Sequence, residues 1–366
     1  MKHICFFNSM KFWGGGEKLH LEYALAFLER GYQVTLICDE ASPLAEKAGD
    51  TGLTLSFLSV KNLSFLNPLK VNKVASIFLE KQIDTVIFSS SQDTKLASLA
   101  AEKAGLDRVV YLRGLAVPVK GSYINKRIFS TILTHIVANS EETKRRLLQN
   151  LTDPVIEKKV SVVYHGIETQ DFLSQEIQHF PAIKELAKGV ILGNAGRLTE
   201  QKGQLHLIEL AKRLKEREVD FTLFIAGTGE LKVQLEEQIK IHELEKEVIL
   251  LGFVEDMKAF MQSLDVFILS SMWEGFGYVL VEAMIAEKAV LGFDVSSNPE
   301  IVSKGETGFL VSPTDMDAFT ARAVKLIEDV DLRISMGKAG KQRVLDKFEL
   351  DDRITEFEQV LLGNPA

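Results

Sequence analysis

Two glutamates, Glu274 and Glu282, stand in the stretch WEGFGYVLVEAM (273–284), with Gly275 and Gly277 between them. The first lies in a loop after the apolar run DVFILS. The second falls inside a run of helical length. Glycines at a helix start leave its first backbone N–H groups accessible, and those groups favour a phosphate or a sugar hydroxyl. With a helix starting near Phe276, Glu282 falls about two turns in, and the carboxylates are roughly 10–12 Å apart along the axis. A nucleotide sugar fits that span, its sugar at Glu274 and its ribose hydroxyls at Glu282. A glycosidase sets two carboxylates about 5–9 Å apart across the scissile bond, whereas these two occupy unlike positions around one helix start.

A second constellation lies in NAGRLTEQKGQ (194–204), where Arg197 and Lys202 share one strand-to-helix loop. Arginine offers a planar fork and lysine a mobile point charge, which together suit a diphosphate. Three further glycine loops follow strands. FWGGGEK brings Gly14, Gly15 and Gly16 before a helix beginning near Glu17. IAGTGEL carries Gly227 and Gly229, and LLGFVEDM carries Gly252, Phe253 and Val254. Each could hold a nucleotide through backbone groups or be an ordinary tight turn. None is the G-x-G-x-x-G fingerprint, and no Lys-Ser/Thr follows as in a P-loop.

These loops need strands to aim them. Short apolar runs alternate with amphipathic stretches, first HICFF, QVTLIC, LTLSFL, DTVIFS, RVVYL, HIVANS and VSVVYHG, then GVILGNAG, FTLFIAG, VILLGF, VFILS, AVLGF and GFLV. This is the rhythm of parallel sheets covered by helices. The expected fold is α/β, with two doubly wound Rossmann-like domains and a cleft between them, ligands lying beyond the carboxyl ends of the strands. The polar, proline-containing stretch 168–189 reads as the break. It places an N-terminal domain at 1–185 and a nucleotide-sugar domain at 186–345. A C-terminal helix in 346–366 is expected to pack back on the first domain.

A length of 366 residues suits two domains, and 46% hydrophobic with 26% charged residues is ordinary for a globular chain. No run of about 18 apolar residues suggests a membrane span. Cys5 and Cys38 sit in buried-looking strands as reduced core residues, and the seven histidines show no metal-ligand spacing. These features point to a cytoplasmic protein. The net charge of −8 and the lack of a known module disfavour nucleic acid as a partner. The charge is uneven, with the N-terminal half basic and the remainder acidic.

Taken together, GRLTEQKG, IAGTGEL, LLGFVEDM, VANSEETK, VVYHGIE and the long stretch LDVFILSSMWEGFGYVLVEAMIAEKAVLGFDVSSNPEIVSKGETGFLV resemble glycosyltransferase family 4. These are retaining nucleotide-sugar transferases of the GT-B fold. Glu274 and Glu282 match that family's E-x(7)-E motif. The resemblance implies that Arg197 and Lys202 bind the donor diphosphate, Glu274 the transferred sugar and Glu282 the ribose. Phe276, Gly277 and Tyr278 would offer backbone N–H groups to sugar and phosphate. Gly15 and Gly16 would close over the phosphates, with Gly227 in the same cradle and Val254 near the base. Ser140, Glu141 and Glu300 fall in further motif positions. The implied mechanism has the catalytic set Glu274, Arg197 and Lys202, same-face attack by an acceptor hydroxyl, no protein nucleophile, no metal and no cofactor beyond the donor, UDP being the expected nucleotide.

The sequence departs from the family at Arg113, where many members have a histidine, and at DVSSNPEI, where a glycine pair is usual. His165 stands where asparagine is common. The stretch 113–134, with Lys120, Lys126, Arg127, Tyr123, Ile124, Ile128 and Phe129, followed by Lys144, Arg145 and Arg146, suits an anionic membrane surface or a lipid-linked acceptor. It suits equally a helix with one buried and one solvated face. The expected role is transfer to a glycan or lipid-linked acceptor in cell-surface polysaccharide or lipopolysaccharide synthesis, with peripheral contact at the inner membrane face. Two alternatives remain at this point: a non-catalytic nucleotide-sugar-binding protein and a NAD-dependent Rossmann oxidoreductase.

Overall fold

The computed structural model describes residues 3–173 and 180–363. The chain divides into two compact units, residues 1–165 with 351–366, and residues 166–350. Unit 1 holds seven parallel strands: β1 (His3–Asn8), β2 (Gln33–Cys38), β3 (Thr54–Phe57), β4 (Thr85–Phe88), β5 (Arg108–Arg113), β6 (His135–Ala138) and β7 (Val160–Val162). Their order is β3-β2-β1-β4-β5-β6-β7. The central strands are mostly apolar because both sheet faces are covered, as β4 shows with Thr85, Val86, Ile87 and Phe88 all buried.

The helix Gly15–Glu29 buries Leu19, His20, Tyr23, Ala24 and Phe27, a helical stripe that returns the chain from β1 to β2. The helix Ser91–Ala104 is capped by Ser90, whose hydroxyl accepts from the Asp93 N–H, and it ends at Gly105 with φ +69°. The C-terminal helix Leu350–Leu362 completes unit 1. Its Phe357 meets Tyr23 and Phe27 at ring distances of 5.2 and 6.0 Å, and its Glu358 pairs with Arg30 at 2.7 Å.

Unit 2 carries β8 (Val190–Ala195), β9 (Phe221–Ala226), β10 (Val248–Gly252), β11 (Val266–Leu269), β12 (Ala289–Phe293) and β13 (Gly308–Val311). They form a second parallel sheet, ordered β10-β9-β8-β11-β12-β13. Behind it, Gly337 lets the helix Val330–Lys347 lie against the Glu287 backbone, where a Cβ would clash with the carbonyl. That contact supports the neighbouring helix Tyr278–Ile285.

The division falls at 165/166 and not at the 185/186 boundary expected from composition. The stretch before β8 is polar enough to read as a linker, yet Phe180 and Ile183 find seats on unit 2. The Phe180 N–H donates to Ser263 Oγ at 2.7 Å, the Phe180 ring meets Phe260 edge-on, and Ile183 is buried. Ile167 exchanges backbone hydrogen bonds with Phe348 and Leu350. Residues 174–179 of that stretch lie outside the described residues.

Candidate functional site

In unit 2 the loops leaving β8, β9 and β11 are strapped together. The Leu198 N–H donates to the Thr228 carbonyl at 2.9 Å and the Leu231 N–H returns to the Leu198 carbonyl at 3.1 Å. A Cβ at Gly227 would overlap the Gly196 carbonyl, and one at Gly229 the Leu198 carbonyl, so this close approach requires glycine at both. The β8 loop is tied in turn to the β11 loop. The Met272 N–H donates to the Gln201 carbonyl at 2.8 Å, Gln201 Nε2 to the Trp273 carbonyl at 3.0 Å, and Ser270 Oγ to the Lys202 carbonyl at 2.9 Å. Gly203, at φ +63°, makes the turn, with the Ser270 carbonyl where its Cβ would be.

These straps set Lys202 beside Glu274. Lys202 Nζ lies 2.6 Å from Glu274 Oε1, and the side chains keep only 17% and 7% of their surface. Arg197 is exposed with no ion pair among the described residues, and its carbonyl is held by buried Gln204 at 2.9 Å. Gly277 caps the helix Tyr278–Ile285, one residue pair later than the start expected near Phe276. Glu282 therefore stands about one turn into the helix, not two, and it is buried. Phe276 is buried ahead of it, and Gly277 sits under the Asn298 side chain. Val254 is buried beside the fully outward Phe253. The arrangement offers one free guanidinium, one ammonium engaged with a carboxylate, and a glycine-capped helix start. That is chemistry for holding and neutralising an anion.

In unit 1, Gly15 and Gly16 are the first two residues of their helix, not residues ahead of it. A Cβ on either would meet nothing within 4 Å, so packing does not demand glycine there. Gly16 borders a cavity whose lining includes His20, Ser89, Arg113, Asn139 and His165 at the carboxyl ends of the strands. Burial pushes His20 down to about 3 and His165 down to about 4, so both imidazoles are neutral near pH 7. Arg113 is pinned, its Nη1 donating to Tyr111 Oη at 2.9 Å and its Nη2 to the Val117 carbonyl at 2.6 Å. Ser140 caps the helix Glu141–Leu148, and Glu300 lies in the short helix Asn298–Ile301. Among the described residues no three His, Cys, Asp or Glu side chains gather as metal ligands.

The structure thus brings Arg197, Lys202, Gly227, Glu274 and Gly277 onto one loop cluster of unit 2. Sequence reasoning missed its supports. Gln201, Gln204, Ser270, Ser297 and Asn298 hold the loops by backbone contacts, and such polar residues look like ordinary loop filler. It also missed His20, whose place on the buried stripe of its helix was the available signal. The basic stretch after β5 is less free than its composition suggests. Arg127 pairs with Glu102 at 2.6 Å, Arg145 and Arg146 both pair with Glu142, and Ile128 and Phe129 are buried.

Two family models match the chain, one in each half. The family model described as Glycosyltransferase Family 4 matches residues 13–171, and the one described as Glycosyl transferases group 1 matches residues 176–343. The chain is 27% identical, over 90% of its length and 89% of the relative's, to the UDP-Gal:alpha-D-GlcNAc-diphosphoundecaprenol alpha-1,3-galactosyltransferase of Escherichia coli. It is 30% identical, over 64% of its length and 61% of the relative's, to the N-acetylgalactosamine-N,N'-diacetylbacillosaminyl-diphospho-undecaprenol 4-alpha-N-acetylgalactosaminyltransferase of Campylobacter jejuni. Among solved structures it shares the fold of Anabaena HepE in complex with UDP and glucose, with TM-score 0.83, 20% identity and 99% of each chain covered.

Proposed function

The chain belongs to glycosyltransferase family 4, with a GT-B fold of two Rossmann-like units, and on that premise we propose that it transfers a sugar with retention from a nucleotide-diphosphate sugar to a lipid-linked glycan acceptor. The observation that carries the donor half is the Lys202–Glu274 pair, set between a free Arg197 and a glycine-capped helix start. The donor diphosphate takes the place of Glu274 as the anion facing Lys202, with Arg197 on its other oxygens. Glu274, released from that pairing, accepts hydrogen bonds from hydroxyls of the sugar. Glu282, on the same helix, takes the ribose.

As the bond from the anomeric carbon to the diphosphate oxygen breaks, negative charge grows on the leaving group, and Arg197, Lys202 and the helix N–H groups neutralise it. The acceptor hydroxyl attacks the face the diphosphate leaves and gives its proton to a departing phosphate oxygen. No protein nucleophile and no metal ligand set are required by this course. Gly15 and Gly16 stand in the first turn of their helix, whose N–H groups have no intrahelical partner. The acceptor reading draws on the activities of the E. coli and C. jejuni relatives, both of which are named for undecaprenol-linked sugars.

The test is thermal shift with UDP, GDP, ADP and NAD at about 1 mM each. A ligand at 100 times its dissociation constant stabilises by about 2.7 kcal/mol. The expected result is stabilisation by one nucleoside diphosphate, UDP first, abolished in Arg197→Ala. Stabilisation by NAD alone would overturn the reading. The anomeric configuration of product formed by the wild-type chain, read by NMR coupling, checks retention.

A further inference from the structure

The cavity at the carboxyl ends of the unit 1 strands has a volume of about 40 Å³. Its wall takes Ser89 from just after β4, Arg113 from the end of β5, Asn139 from just after β6 and His165 from beyond β7, with Gly16 and His20 from the helix Gly15–Glu29. Among the described residues no aspartate, glutamate or lysine borders it. Burial keeps His20 and His165 neutral. Arg113 is therefore the single charge on this wall.

Arg113 is only 6% exposed and makes no ion pair among the described residues. Of the five N–H donors in its fork, one goes to Tyr111 Oη and one to the Val117 carbonyl. Its Nε is buried without a partner. Buried charges are ordinarily paired, because taking them out of water is costly. By contrast Arg30 meets Glu358 and Arg127 meets Glu102. The neighbouring wall is also unspent. Both ring nitrogens of His20 and Oδ1 of Asn139 are buried without a partner, in residues that are 0% and 3% exposed. Asn139 is held in place, its Nδ2 donating to the Gly114 carbonyl at 3.3 Å and its backbone N–H to the Arg113 carbonyl at 3.1 Å. The cavity wall thus holds unspent donors on Arg113, a donor and an acceptor on neutral His20, and an acceptor on Asn139.

Size and charge decide what such a wall can hold. At about 10–15 Å³ for each water-sized group, the cavity has room for about three. A carboxylate presents three heavy atoms there and a phosphate group five. A carboxylate also brings one negative charge, which one arginine answers, whereas a phosphate monoester brings about 1.5–2 near pH 7. The planar guanidinium matches the two oxygens of a carboxylate. The acceptors on His20 and Asn139 suit hydroxyl groups beside it. A hexuronate, a ring sugar whose C6 is a carboxylate, carries both.

We propose that this cavity binds the carboxylate of a hexuronate-class sugar acid, Arg113 taking the carboxylate and His20 and Asn139 the hydroxyls beside it. A neutral sugar offers only a hydroxymethyl group there and leaves the buried charge unanswered, so Arg113 selects by charge. The sugar acid is the terminal residue of the acceptor, and the chain extends an acidic glycan. That assignment to the acceptor rests on the transferase reading; the binding of the sugar acid does not.

The experiment follows the Arg113 Nε–H resonance of the full chain, assigned by its loss in Arg113→Lys. The protein is titrated with methyl glucuronoside and methyl galacturonoside, then with methyl glucoside and methyl galactoside. The resonance is expected to move saturably with at least one uronide. That uronide should bind at least about tenfold more tightly than its neutral counterpart, the worth of one charge-assisted hydrogen bond. Arg113→Gln should remove the difference and Arg127→Gln should keep it. Arg113→Lys retains the charge but not the fork, so it should weaken uronide binding while remaining folded, and it serves should Arg113→Gln not fold. No saturable movement in wild type, equal affinity for uronide and neutral sugar, or tighter binding of inorganic phosphate overturns the proposal. Thermal shifts with UDP-glucuronate and UDP-glucose are expected to be equal. A larger shift with UDP-glucuronate, lost in Arg113→Gln, would overturn the acceptor assignment and give the carboxylate to the donor. Uronide binding by a chain that no nucleoside diphosphate stabilises would sink only the transferase reading, and the converse only this inference.

Discussion

Lys202→Ala isolates the pair on which the candidate site turns. Lys202 Nζ and Glu274 Oε1 are 2.6 Å apart. At an effective dielectric of about 20 the gross attraction at that distance is about 6 kcal/mol, most of it offset by desolvation. Removing one partner of a buried pair costs about 3–5 kcal/mol, because the other charge is stranded. Lys202 retains 17% of its side-chain surface, so the lower end applies, about 3 kcal/mol. Glu274→Gln should cost less, about 1 kcal/mol, since a flexible lysine turns to water more easily than a buried carboxylate. The two tryptophans, Trp13 and Trp273, lie one in each unit, so Trp273 fluorescence in a Trp13→Phe background follows unit 2 alone. With a urea slope of about 2.5 kcal/mol per M, Lys202→Ala should lower the midpoint by about 1 M. The double variant should lose much less than the sum of the singles, as residues in contact do. A Lys202→Ala shift below about 0.2 M, or strict additivity in the double variant, would refute a buried, mutually dependent pair.

Gly16→Ala should raise thermal stability by about 0.5–1 kcal/mol, because alanine favours a helix and its Cβ meets open space, while turnover falls as the methyl blocks close approach to substrate. Gly203→Ala should lower the unit 2 urea midpoint by about 1 M or more, its positive φ and the Ser270 carbonyl both opposing a Cβ. His20 has a folded pKa of about 3, below the ordinary value of 6.5, so its contribution to stability is full above pH 6.5 and is lost as pH falls toward 3. Between pH 7 and 4.5 that loss is about 2–3 kcal/mol, and His20→Leu should flatten this part of the melting-temperature profile. Asp93 works oppositely. Burial raises it to about 6, so its contribution is full below the ordinary carboxylate range and is lost as pH rises through 6, which leaves acid destabilisation to groups such as His20.

Much of this molecule is legible one segment at a time. The inner strands, such as β4, β9 and β11, are apolar runs bounded by polar or glycine residues, because a strand buried on both faces must be nearly apolar throughout, whereas the edge strand β3, Thr-Leu-Ser-Phe, is partly exposed. The glycine loops, Arg197, Lys202 and the Glu274–Glu282 spacing are likewise local, and local patterns survive in sequence. Partnership between distant residues does not. Nothing near Lys202 says that it meets Glu274, 72 positions on; that follows from β8 lying beside β11 in the sheet and from Ser270 and Gln201 strapping their loops. Arg127 looks like free charge until the fold supplies Glu102 from the helix Ser91–Ala104. The stretch 168–189 reads as a linker until Phe180 and Ile183 find apolar seats. By itself the sequence determined which segments are strands and helices and where the glycine-rich loops between them fall, since burial and backbone geometry impress a short period on residue choice. Only the tertiary structure decided which charges face one another and where one unit ends, because those depend on contacts between segments that carry no mark of each other.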